Sequence, residues 1–113
     1  HGRINDNVYM LGFSQGVSMA YRLAMSGTVP VRGLVACCAA LPADVAERLP
    51  SITRFPVLLA HAEDDPLVPV SKAAEAESVL QAHNFPVNRL RYTGGHLIPE
   101  DVMTRIGEWI EVT

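Results

Sequence analysis

Three stretches of the chain are apolar almost without interruption: Val8 to Phe13, Leu34 to Ala40 and Val57 to Ala60. A strand with one wet face alternates, whereas continuous runs suit parallel strands covered by helices on both faces. Between them the period changes. Gln15 to Met25 brings Val17, Ala20, Leu23 and Ala24 to one side, with Gly27 placed for a left-handed C-terminal cap. Asp44 to Leu49 has room for one short helix. Ser71 to His83 reads as a helix with Ser71 as N-cap, an apolar side of Ala74, Ser78, Val79 and Ala82, and an end near Asn84. A fourth strand fits Arg89 to Tyr92. The last helix opens at Pro99 and stacks Val102, Ile106, Trp109 and Ile110. This order predicts an α/β protein, a parallel sheet of about four strands flanked by helices, in a doubly wound arrangement. No repeat, linker or low-complexity segment divides it, so residues 1–113 are expected to form a single domain.

Composition narrows the partners. A chain of 113 residues with 49% hydrophobic and 19% charged residues has the make-up of an ordinary globular domain. The net charge of −3 and the lack of a Lys/Arg cluster argue against nucleic acid or an anionic membrane surface as a partner. No apolar run reaches the ~18 residues of a membrane-spanning helix. Cys37 and Cys38 are adjacent, which suits neither a disulfide framework nor a metal site. They read as small core residues in a reducing compartment, which points to the cytoplasm. His1 to Asn7 look like the tail of a preceding connection, as in an N-terminally truncated domain.

Candidate chemistry begins where the first apolar run ends. In Gly12-Phe13-Ser14-Gln15-Gly16 a serine sits between two glycines at a predicted strand-to-helix turn. So sharp a turn strains the backbone of a nucleophile, and side chains at positions 12 and 16 are expected to collide with the neighbouring strand and helix. Ser14 is thereby pushed out over the carboxyl end of the sheet. The helix that follows offers its positive end, so the Gln15 N–H is the candidate donor to an oxyanion. The pattern alone arises by chance in about 4% of chains this long; an apolar strand before it, a helical pattern after it and suitable partners downstream raise its meaning.

A serine nucleophile needs a base, and the base needs a carboxylate to orient it. Four histidines are available. His1 is terminal, His61 closes a strand and His83 ends a helix. His96 follows Gly94-Gly95 directly after the fourth strand, at the same sheet edge as Ser14. For the acid, Glu63, Asp64 and Asp65 all follow the third strand, and like charges this close do not share one buried site. The prolines of Asp65-Pro66-Leu67-Val68-Pro69 pin the turn and favour Asp65, with Asp64 the fallback and Glu63 solvated. Leu67, and Leu97 beside His96, are the candidate substrate-binding residues; Leu97 and Ile98 serve equally well to anchor the final helix. No cofactor or metal is called for.

Gly12-Phe13-Ser14-Gln15-Gly16, Asp65-Pro66-Leu67-Val68-Pro69 and Gly94-Gly95-His96 together resemble the C-terminal half of an α/β-hydrolase of the phospholipase/carboxylesterase group, which includes the acyl-protein thioesterases. The resemblance implies Ser14 as nucleophile, Asp65 as acid, His96 as base and Gln15 as one oxyanion donor. Two departures accompany it. Ala62 stands where the wider fold often has Gly, and the first four strands with the loop giving the second oxyanion donor are not in this chain. Two functions of different class follow: a serine hydrolase of carboxylic esters or thioesters, acting on a small-molecule substrate, or a non-catalytic fragment or association partner. With no upstream strand beside it, Val8 to Phe13 is expected to present an open edge to a second copy or to a missing N-terminal half.

Overall fold

A computed structural model describes residues 9–24, 26, 31–49 and 54–113. In chain order the elements are β1 (Tyr9–Phe13), α1 (Gly16–Ala24), β2 (Gly33–Cys37), α2 (Ala43–Arg48), β3 (Val57–Ala62), α3 (Ser71–Ala82), β4 (Val87–Tyr92) and α4 (Glu100–Val112). All four strands run parallel in one sheet of order β1-β2-β3-β4. Tyr9 is level with Gly33, Leu34 with Val57, and Val57 with Val87. The carboxyl ends of all four therefore reach one edge, and the turns that leave them can meet.

The period-2 alternation of strand side chains sends neighbours in β2 and β3 into two separate cores. Leu34, Ala36, Val57 and Leu59 join Val17, Tyr21 and Ala24 of α1, Val45 of α2, and Ala76 and Leu80 of α3. Val35, Cys37, Leu58 and Ala60 join Leu90 and the α4 residues Val102 and Ile106. Three helices thus cover one face and α4 the other. Every residue of β2 and β3 is buried, which is why these strands read as continuous apolar runs.

Several boundaries and faces differ from the sequence reading. β2 stops at Cys37 rather than Ala40, because Cys38 turns into the left-handed region with φ 56°. β3 continues through His61 to Ala62, and β4 starts two residues before Arg89, where Val87 pairs with Val57. In α1 the buried stripe is Val17, Tyr21 and Ala24; Leu23 is exposed, since the large Tyr21 ring takes the position against the sheet. In α3 it is Ala73, Ala76 and Leu80, and the predicted Ala74, Ser78 and Ala82 face water. Leu80, fully buried, sets that rotation. An alanine-rich helix offers little else to distinguish its sides. The α3 N-cap is Val70, with no side-chain cap bond, instead of Ser71, and the helix closes through His83 onto Asn84 at φ 67°. Val8, Met25 and the Gly27 cap lie outside the described residues. α4 begins after Pro99 as expected. Its stripe buries Val102 and Ile106 fully, each worth about 1.5–3 kcal/mol relative to exposure, with Trp109 and Ile110 packed alongside.

Candidate active site

Ser14 occupies the turn between β1 and α1, and the backbone there is strained: its φ of 56° is one that non-glycine residues seldom adopt. The turn is held by Ser14 N–H donating to Cys37 O at 2.9 Å and Val17 N–H donating to Ser14 O at 3.1 Å. The chain folds back so tightly that a Cβ on Gly12 would sit 2.7 Å from Val17 Cα and 2.8 Å from Gly16 O. Those neighbours are backbone, so nothing can give. Gly16 departs from the sequence expectation. No described atom lies within 4 Å of the place its Cβ would take, because it faces outward on the exposed first turn of α1. Gln15 follows Ser14 at the head of α1, and among the described residues its backbone N–H has no backbone acceptor.

The other two predicted residues reach Ser14 from the far strands. His96 Nε2 lies 2.9 Å from Ser14 Oγ, and His96 Nδ1 lies 2.7 Å from Asp65 Oδ2. An ionised carboxylate only accepts, so Nδ1–H donates to Asp65, leaving Nε2 bare to accept the Ser14 hydroxyl proton. The Asp65 side chain has no exposed surface, and the His96 side chain is 14% exposed. Burial opposes ionisation of Asp65. The hydrogen bonds from His96, from Val68 N–H and from Leu67 N–H outweigh it and hold the carboxyl below its ordinary range. The two backbone donors meet Oδ1 at 2.9 and 2.8 Å. The Phe13 ring packs 5.0 Å from the imidazole, flanking it from the β1 side.

Three residues around this chain escaped the sequence reading. His61, 1% exposed, donates from Nε2 to Val68 O at 2.8 Å and so clamps the turn that presents Asp65. The signal was available: a histidine inside a fully apolar strand run must find a partner. Tyr92 donates its hydroxyl proton to Leu97 O at 2.8 Å, tying the His96 loop back to β4. Cys38 follows β2 rather than lying within it, and its Sγ is 3.1 Å from Tyr92 Oη, the thiol serving as donor because the Tyr92 proton is taken. Burial pushes the Cys37 thiol up to about 12 and raises that of Cys38, so neither is a ready thiolate. Both are free and buried. Asp64, the fallback acid, does not touch His96; its Oδ1 accepts the N–H groups of Gly94 and Gly95 at 3.0 Å each.

A cavity of ≈ 400 Å³ opens beside Ser14, walled by Ala39, Ala40, Pro42, Leu67, Val68 and Pro69, with Lys72 as its one charged residue. Leu67 therefore borders the space next to the serine. Leu97 does not line it, although both leucines are largely exposed, Leu67 70% and Leu97 68%; Leu97 contributes its carbonyl to Tyr92. Ile98 packs on the α4 side of the sheet. One donor set resembles a metal centre: a sulfur of Cys38, an oxygen of Asp65 and a nitrogen of His96 lie within 4.8 Å of one another. Each is already engaged, Cys38 with Tyr92 and Asp65 with His96, so an ion there would have to displace those bonds.

A solved structure described as esterase PE8 is 26% identical and superposes with a TM-score of 0.81 over 92% of this chain and 49% of its own. The Arabidopsis thaliana protein SOBER1 has 21% identity and a TM-score of 0.82, over 96% of this chain and 53% of that one. An acyl-protein thioesterase 2 of Zea mays has 22% identity and a TM-score of 0.71, over 90% and 54%. The chain thus spans about half the length of these structures, all sharing its α/β fold. No curated protein sequence matches it. Among the described residues no helix is long and apolar enough to cross a membrane. A family profile described as Phospholipase/Carboxylesterase matches residues 1–113, and the chain belongs to that hydrolase family.

Proposed function

We propose that this chain carries the catalytic residues of a serine hydrolase that cleaves carboxylic esters or thioesters through an acyl-enzyme, with Ser14 as nucleophile, His96 as general base and Asp65 as the orienting acid. The observation that supports this is the unbroken path Ser14 Oγ to His96 Nε2 at 2.9 Å and His96 Nδ1 to Asp65 Oδ2 at 2.7 Å. His96 takes the Ser14 proton as Oγ attacks the acyl carbonyl, and returns it to the departing alcohol or thiol. Water then enters through the same base and releases the acid. The imidazolium formed at each step is stabilised by an Asp65 carboxylate already held in its charged form. The Gln15 N–H, at the positive end of α1, is the donor in reach of the developing oxyanion.

The apolar cavity bordered by Leu67 suits an acyl or alcohol portion of modest size. The second oxyanion donor is proposed to come from the half of a longer protein that pairs with β1, residues 1–113 forming one part of a single hydrolase domain. A reducing compartment such as the cytoplasm fits two free thiols. The alternative, an association module without activity, draws on the chain spanning half of its structural relatives. In the complete protein a fluorophosphonate probe is expected to label Ser14, and Ser14→Ala to abolish labelling. Labelling that survives Ser14→Ala, or wild-type protein that resists the probe, would overturn the assignment.

A further inference from the structure

We propose that Asp64 is a positioning residue for the hydrolysis: its carboxylate pins the backbone of the loop that carries His96, so that the turn after β3 grips that loop at two points and holds the imidazole on the line between Asp65 and Ser14. The proposal rests on the reading of His96 as the base and assigns a role to a residue that the reaction itself does not use.

Asp64 stands in an exposed acidic turn, where a carboxylate is ordinarily left to water. Here one of its oxygens, Oδ1, accepts two consecutive backbone N–H groups, those of Gly94 and Gly95, each at 3.0 Å. Successive N–H groups converge in this way when the chain turns through a left-handed residue, and Gly95 has φ 67°. These bonds hold the Asp64 carboxyl below its ordinary range, so it stays an acceptor throughout neutral pH. The next residue in each segment makes the next contact: Asp65 follows Asp64, His96 follows Gly95, and Asp65 Oδ2 meets His96 Nδ1 at 2.7 Å. Two adjacent carboxylates thus hold three consecutive loop residues, one through the backbone and one through the ring. Glu63 N–H donating to Tyr92 O at 2.8 Å carries the β3–β4 pairing up to the base of this grip.

The need for such a tether comes from the glycines. Gly94 and Gly95 permit the turn, yet glycine surrenders more conformational freedom on ordering than any other residue. Residues 94–97 belong to no helix or strand, so the loop has no ladder of its own. Tyr92 fixes its far side through Leu97 O. Asp64 fixes the near side. Without that contact His96 is anchored on one flank only, and a displacement of ~1 Å at a catalytic group can cost about 10²-fold in rate.

The test uses the complete protein and compares Asp64→Ala with Asp64→Asn, whose amide oxygen can still accept both N–H groups. Asp64→Ala should lower kcat on a p-nitrophenyl ester by about 10- to 100-fold with KM little changed, because the cavity is untouched. Asp64→Asn should restore most of kcat. In proton NMR the far-downfield His96 Nδ1–H resonance should broaden or vanish in Asp64→Ala and persist in Asp64→Asn, a signature that reads the grip whether or not an ester is turned over. Should Asp64→Ala fail to fold, Asp64→Ser keeps the turn polar while its shorter side chain falls short of the loop, with the same outcome expected. Wild-type kcat and an undisturbed resonance in Asp64→Ala would overturn the proposal, as would an Asp64→Asn variant damaged as deeply as Asp64→Ala. Wild-type protein that no fluorophosphonate labels would instead sink the assignment of Ser14 and His96, so the two failures are separable.

Discussion

The two sides of the site are built differently. Asp65 and His96 leave from β3 and β4, where side chains brace the turns from every direction: His61 holds Val68, Asp64 holds Gly94 and Gly95, and Tyr92 holds Leu97. Ser14 leaves from β1, which has a strand partner on one side only among the described residues, and it is held by backbone bonds and by lack of room at Gly12. The two outer strands differ in the same sense. β4 carries Asn88, Arg89 and Arg91, the polar and charged residues with which proteins blunt a true sheet edge. β1 reads Tyr-Met-Leu-Gly-Phe with no charge at all, and Leu11 is 47% exposed. The turns that present Asp65 and His96 are braced from within this chain, whereas the strand that leads to Ser14 is shaped like an interior strand.

The largest effect expected on the braced side is that of Asp65→Asn in the complete protein. Loss of the orienting carboxylate leaves the imidazole in the wrong tautomer, and kcat should fall by up to about 10⁴-fold. Steady-state ester hydrolysis measures it, and a loss below tenfold would show that His96 is oriented by something other than Asp65.

The open side can be probed with a polypeptide limited to residues 1–113. An uncharged, unpaired edge templates association, so this polypeptide should elute from size exclusion as an oligomer or be recovered as an aggregate. Leu11→Lys, which puts a charge on that strand, should shift it towards monomer. A wild-type monomer would remove the distinction between the two edges.

A smaller contrast lies within the Ser14 turn. Gly12→Ala forces a methyl to within 2.7 Å of backbone and should destabilise by about 1–3 kcal/mol, as overpacking does. Gly16→Ala meets no described atom and, at a helical position, should be neutral or gain up to about 1 kcal/mol. Urea denaturation of the complete protein separates them. A large loss at Gly16 would mean that chain beyond these residues packs against the head of α1, which would sharpen the contrast by locating the missing neighbour of β1.

The smallest effect is a pH dependence of stability. Asp65 has its native pKa lowered, against burial, by hydrogen bonds from His96, Val68 and Leu67. A group shifted this way contributes stability that is fully present above its unfolded value of ~3.9 and is lost as pH falls through the lower native value. Melting temperature should therefore stay level from neutral pH down to ~5 and decline below it, and Asp65→Asn should flatten part of that decline. An unchanged slope would show that the acid limb belongs to other carboxylates.

What the sequence determined by itself was whatever depends on short-range pattern. Continuous apolar runs marked three of the four strands, most clearly β2 and β3, because strands buried on both faces have no polar side to show. The glycines and prolines around Ser14, Asp65 and His96 marked the turns at the strand ends, since few residue types tolerate those backbones. These were enough to nominate the three residues that the fold brings within hydrogen-bond reach of one another. The apolar stripe of α4 was legible too, but the rotation of α3 was not. In α3 every side offers alanines, and only packing against the sheet selects Ala73, Ala76 and Leu80. Hydrogen-bond partners were equally hidden: nothing in the residue types of His61, Asp64 or Tyr92 tells that one will meet Val68, another the glycines of the loop after the next strand and the third Leu97. Leu67 and Leu97 had equal standing as neighbours of candidate residues and are about equally exposed, yet only Leu67 lines the cavity beside Ser14. A hydrogen bond across 30 or 31 residues depends on strand register, and register is set by packing of the whole sheet rather than by any segment within it.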